Sequence, residues 1–233
     1  SVKEIGDSAF RGCESLTRVA IPSSVKEIGY YAFSGCTSLT SVEVAPENQQ
    51  FYVENGLVIS RKESSVILVP GGLTSAVIPE GVIAIGNSAF SDCKSLTSVT
   101  IPGSVTRIDG AAFRGCTGLT NVVIPAGVTK IGYAAFFDCT GLSSVTIPEW
   151  VTEIGGFIFG GCTSLSSVTI PERVTRIGGA AFQGCTDLSS VTIPEGVTEV
   201  GGAAFRDCTG LSSVTIPETV RKVGDGAFFG CTS

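Results

Sequence analysis

The side chains with the greatest chemical potential in this chain are nine cysteines, and their spacing limits what they can do. They fall at Cys13, Cys36, Cys93, Cys116, Cys139, Cys162, Cys185, Cys208 and Cys231. Every interval is 23 residues except Cys36 to Cys93, which is 57, or 23 plus 34. A zinc site draws its ligands in pairs roughly two to four residues apart, usually with histidine, and the 233-residue sequence has no histidine. A disulfide ladder needs an even count and side chains that face each other, whereas equivalent residues of stacked coils point in parallel. The expected role is a free thiol buried as a small apolar group. The lack of histidine also removes the usual general base. No nucleophile elbow, phosphate loop or dinucleotide fingerprint is present, and the Gly-Gly-Ala-Ala-Phe phrases recur in copies that cannot all be active. No catalytic residue, metal site or cofactor is therefore expected, and the chain reads as a non-enzyme.

Carboxylates form the other chemically interesting set. Glu149, Glu172, Glu195 and Glu218 each follow a proline, one per repeat. Stacked about 5 Å apart they repel modestly, and a cation such as calcium would relieve them. Solvated turn residues with neighbours such as Arg173 are the plainer reading. A second column runs Arg107, Lys130, Glu153, Arg176, Glu199, Lys222, and from Glu153 onward each neighbour has the opposite sign. It reads as coil-to-coil pairing worth a few tenths of a kcal/mol per contact (~0.2–1).

These residues must be positioned by a repeated element. A period near 23 marks a solenoid of short stacked coils. In the unit LSSVTIPEWVTEIGGFIFGGC (Leu142–Cys162), Leu142, Val145 and Ile147 alternate with Ser144 and Thr146 in a short strand that Pro148 ends. Val151 and Ile154 mark a second extended piece closed by Gly155 and Gly156. Ile158, Phe159 and Cys162 suit one tight helical turn pointing inward. The fold expected is mainly β with short helical turns, its core a ladder of Phe113, Phe136, Phe159, Phe182 and Phe205 beside Cys116, Cys139, Cys162, Cys185 and Cys208. One domain spans 1–233. Residues 45–78 form an enlarged repeat in which Leu57–Ser60 and Ser65–Val69 flank a polar turn as a β-hairpin.

Composition narrows the partners. A net charge of −6 and a pI near 4.7 oppose the basic footprint that nucleic acid requires. No apolar run approaches the ~18 residues of a membrane span. Ser1 opens and Ser233 closes within a repeat, which suggests a segment of a longer protein or an engineered array, without a visible leader.

The phrases LTSVTIPGSVTRIDGAAFRGC (Leu96–Cys116) and LSSVTIPEGVTEVGGAAFRDC (Leu188–Cys208) resemble the BspA-like leucine-rich repeats, over the entire chain. FYVENGLVISRKESSVILVP resembles the hairpin-bearing variant of that repeat. The resemblance implies a curved right-handed leucine-rich-repeat solenoid with the parallel sheet on its concave face. It also implies an extracellular or cell-surface protein used for adhesion or partner binding, and carries no catalytic positions.

Where a partner would sit is less regular. The strand face reads Ser98/Thr100, Asn121/Val123, Ser144/Thr146, Ser167/Thr169, Ser190/Thr192 and Ser213/Thr215, an almost invariant ladder of hydroxyls without the aromatic or Arg anchors of protein interfaces. Such an array suits a repetitive ligand such as a glycan, or another copy in a larger assembly. Departures from the repeat concentrate at Tyr133, Phe137, Trp150, Phe157 and Arg173, the candidate protein-binding patch, with Trp150 in a Gly slot and Phe157 in an Ala slot. Tyr30, Tyr31, Phe51 and Tyr52 form a second candidate. The function expected is a display scaffold for a protein partner. Its rivals are a structural spacer, favoured by the near-identity of the coils from Leu165 to Cys231, and a glycan-binding module.

Overall fold

The computed structural model describes residues 1–233 as a stack of coils built from parallel strands and turns. Each coil contributes a first strand after its leucine, such as Ser144–Thr146, and a second after its proline turn, such as Glu153–Ile154. Equivalent strands pair in parallel at constant register, Ser144 with Ser167 and Glu153 with Arg176. Proline stops the first strand because it has no N–H for the ladder. Strands of two to four residues suffice, since each coil leans on both neighbours instead of forming its own sheet.

The segment from the glycines to cysteine differs from the expected helical turn, and no helix forms anywhere in the chain. Left-handed residues recur four apart, for example Phe157 at φ 55° and Gly161 at φ 73°. A helix needs right-handed φ throughout so that every N–H turns back on its own axis. Here alternate N–H groups leave the coil instead. Phe157, Phe159 and Gly161 donate to Gly179, Ala181 and Gln183 of the next coil at 3.0, 2.8 and 2.7 Å. Between them, Gly160 and Cys162 donate back within the coil at 3.1 Å.

Phe90, Phe113, Phe136, Phe159, Phe182, Phe205 and Phe228 stack ring on ring, with centroids 4.7–5.6 Å apart. All but Phe228 are fully buried, as are Cys116, Cys139, Cys162, Cys185 and Cys208. Phe10 and Phe33 form a separate stack at 4.9 Å. The break lies at the enlarged repeat. Strands Leu57–Ser60 and Ser65–Leu68 form an antiparallel hairpin, and Phe51–Glu54 adds a further strand across an Asn55-Gly56 turn. Leu57–Ser60 is buried on both faces: Leu57 and Ile59 join a core of 50 residues, while Val58 joins one of 10 that serves the first two coils. The hairpin is thus a partition across the stack. No helix is long and apolar enough to cross a membrane.

Candidate interaction surface

The turn column carries the side chains that break the repeat. Tyr133 is 64% exposed, and its ring lies 5.6 Å from that of Phe157, which in turn meets Phe137 edge-on at 5.8 Å. Two glycines of the following coil make room for these rings. A Cβ at Gly156 would touch the Tyr133 ring at 3.4 Å, and one at Gly160 the Phe137 ring at 3.1 Å. Arg114 from the preceding coil sits 5.5 Å over Phe137. Beside it, burial raises the Asp138 carboxyl above its ordinary value, Arg114 opposes the rise and Asp92 adds to it.

Trp150 and Arg173 occupy a different corner, the turn after the first strand. Trp150 is 54% exposed and Arg173 packs over its indole at 4.4 Å. The structure thus divides the five candidates into Tyr133–Phe157–Phe137 and Trp150–Arg173. Arg173 serves the indole and makes no ion pair with Glu149 or Glu172. Phe51 is buried in the smaller core, and Tyr52 lies under Arg61 at 4.9 Å. Tyr30 stays exposed, and with Tyr133 it borders a shallow recess of about 250 Å³ whose floor is Gly110, Ala111, Asn87 and Ser88. Residues more than a hundred apart in sequence meet there because the coils between them carry small side chains in the same slot.

Sequence reasoning missed the Arg–aromatic stacks as a recurring device. Arg11–Tyr31, Arg114–Phe137 and Arg206–Phe229 each join one coil to the next at 5.2–5.6 Å. For Arg114–Phe137 and Arg206–Phe229 an arginine followed 23 residues later by an aromatic was the available signal, whereas Arg11 and Tyr31 are 20 apart. The alternating charges do pair: Arg176 reaches Glu153 at 3.1 Å and Glu199 at 3.4 Å, and Lys222 reaches Glu199 at 2.9 Å. Lys222 accordingly lowers the Glu199 carboxyl, chiefly through its hydrogen bond. The strand face is solvent-exposed, and the hydroxyls of Ser144, Thr146, Ser167 and Thr169 make no hydrogen bond within the chain, although their backbones pair in the ladder. Val123, 74% exposed, interrupts the hydroxyls.

Comparison with known proteins gives this architecture relatives. A sequence model described as the BspA type leucine rich repeat region matches in six copies, over residues 1–55, 70–188 and 106–233. A leucine-rich repeat protein from Eubacterium ventriosum is similar in structure, with a TM-score of 0.89 and 28% identity over 100% of this chain. The chain spans 63% of that protein's length. The pneumococcal vaccine antigen PcpA shares the fold at a TM-score of 0.53 and 22% identity, over 96% of this chain and 60% of the antigen. No curated protein matches in sequence.

Proposed function

Because the chain belongs to the BspA-type leucine-rich repeat family, we propose that it is a non-catalytic scaffold that binds a protein partner at or outside the cell surface. In this reading residues 1–233 act as one curved right-handed solenoid with the hydroxyl strands on the concave side, and 45–78 as its enlarged repeat. The observation that carries the reading is the Tyr133–Phe157–Phe137 cluster with Arg114 at its rim. Aromatic residues and arginine are what protein interfaces concentrate, and here Tyr133 and Phe157 stand where the adjoining coils carry glycine or alanine. A rigid stack holds such a feature in place, so little ordering entropy is lost on contact.

The test is surface plasmon resonance of the chain against a panel of purified extracellular-matrix and cell-surface proteins. Saturable binding to one of them should fall at least tenfold in Tyr133→Ser with Phe137→Ser, with the melting temperature held. Binding that ignores both substitutions removes the cluster, and no binding across the panel favours the spacer reading. A second reading rests on the recess between Tyr30 and Tyr133, where exposed rings flank the Asn87 amide and Ser88 hydroxyl as a glycan would require. A glycan array probed with the chain and with Tyr30→Ala distinguishes it.

A further inference from the structure

Interior coils pass three backbone N–H groups to the next coil through the turn column. Ser88, Phe90 and Asp92 donate to Gly110, Ala112 and Arg114 at 3.0, 2.8 and 2.7 Å, and the pattern continues to Ala203, Phe205 and Asp207. The coil ending in Cys36 breaks it, because Tyr31, Phe33 and Gly35 donate to nothing. Its second strand, Glu27–Ile28, pairs only with Glu4–Ile5. On the opposite edge the Ile28 N–H, the Ile28 carbonyl and the Lys26 carbonyl have no partner. In a regular coil the corresponding carbonyls of Ile83 and Ile85 accept from Thr106 and Asp109 at 2.9 and 2.8 Å.

The enlarged repeat causes the break. Its strand Ser65–Leu68 pairs in parallel with Ala84–Ile85, but turns its other edge to Leu57–Ser60 instead of to Glu27–Ile28. The hairpin takes the hydrogen bonds that the earlier coil would have received. An edge without partners is a template for another chain, and proteins usually cover or blunt it.

Two spaces adjoin this edge. Between Ile28–Ser34 and Ile67–Val69 the gap is about 20 Å³, enough for one water. Along the strand itself it opens to a groove of about 760 Å³. The groove carries Glu4, Asp7, Glu27 and Glu63 against Lys26 and Lys62, while Arg107 and Asp109 pair with each other at 3.2 Å. The remaining balance is acidic by two charges. A carbonyl, an N–H and a carbonyl at the spacing of a strand edge match an extended polypeptide backbone in a way that sugar hydroxyls do not.

We propose that the Glu27–Ile28 edge is a docking site for an extended, net-basic peptide segment of a partner protein, which adds as a strand in the groove beside the hairpin. The proposal rests on the protein-binding reading above, but on residues and a readout independent of the Tyr133 cluster. The partner's backbone satisfies Lys26 and Ile28, and its lysine or arginine side chains meet Glu4 and Glu27, which stand side by side in register.

Amide hydrogen exchange followed by NMR on the full chain tests this. The probe is a pool of eight-residue synthetic peptides with lysine or arginine at alternate positions. In the free protein the Ile28 and Tyr31 amides should exchange at least 100-fold faster than those of Ser88 and Phe90. Saturation with the pool should slow Ile28 at least tenfold. Glu4→Lys with Glu27→Lys should abolish the protection at an unchanged melting temperature, while Glu149→Lys with Glu172→Lys should retain it. The proposal fails if Ile28 is already protected in dilute free protein, if the pool leaves it unprotected, or if an acidic pool protects it equally. It also fails if protection rises with protein concentration alone, which would assign the edge to a second copy. Each of these outcomes leaves the response of partner binding to Tyr133→Ser unaffected.

Discussion

The cysteines do more than fill space. From Cys116 to Cys208 each thiol points at the carbonyl of the phenylalanine one coil earlier, with Sγ to oxygen distances of 3.0–3.2 Å. That phenylalanine carbonyl also accepts from its own coil's cysteine N–H, for example Cys139 N to Phe136 at 3.2 Å. Burial pushes the Cys93 thiol up from 9.0 to about 12. Because the folded state holds the proton more tightly, this stabilisation is complete below pH 9 and is lost as pH rises toward 12. Urea melts should lose ~1.4 kcal/mol per pH unit in that window for such a thiol, and Cys93→Ala should flatten the loss. A thiol reagent at pH 8 should label exposed Cys13 at once and the fully buried cysteines only on unfolding. Immediate labelling of Cys162 would refute the burial.

At the scale of the coil, stacking imposes pairwise rules. Asp92, Asp138 and Asp207 each lie over a glycine of the following coil, Gly115, Gly161 and Gly230, where a Cβ would collide with the carboxylate oxygen. Gly184, with the same left-handed φ, has only glycine behind it. Gly161→Ala should therefore cost about 1–2 kcal/mol more than Gly184→Ala in chemical denaturation, and Asp138→Gly should erase the difference. Equal costs would show that only the backbone angle matters. Phe159→Ala removes a fully buried ring stacked on both sides and should cost about 3–5 kcal/mol.

The whole molecule is two unequal stacks joined by a partition. Stability in a solenoid is close to a sum over coils and their interfaces. The seam at Cys36 lacks the turn-column hydrogen bonds that hold every other interior interface, and its core holds 10 residues against 50. Thermal unfolding should therefore be biphasic. Trp150, in the larger stack, should report only the later transition, while far-UV circular dichroism should record both. Coincident curves would mean the hairpin couples the two stacks fully.

The composition and the period of 23 were enough to determine the repeat and the inward-facing Leu, Val, Ile, Phe and Cys set, while the family came from the resemblance of whole phrases such as Leu96–Cys116. These depend on local alternation and on glycine and proline positions that each coil carries in itself. The polar turn between Leu57–Ser60 and Ser65–Leu68 was legible for the same reason, and the Asn55-Gly56 turn was a signal left unread. The inward helical turn was misjudged because i, i+1, i+4 spacing also fits turns with left-handed residues four apart, and only the next coil's carbonyls choose between them. Tertiary structure alone placed Trp150 apart from Tyr133, brought Tyr30 to the same recess as Tyr133, and opened the edge at Ile28. The first depends on which corner of the coil each side chain occupies, and the other two on which coils become neighbours around the 34-residue repeat, a long-range geometric fact no single coil encodes.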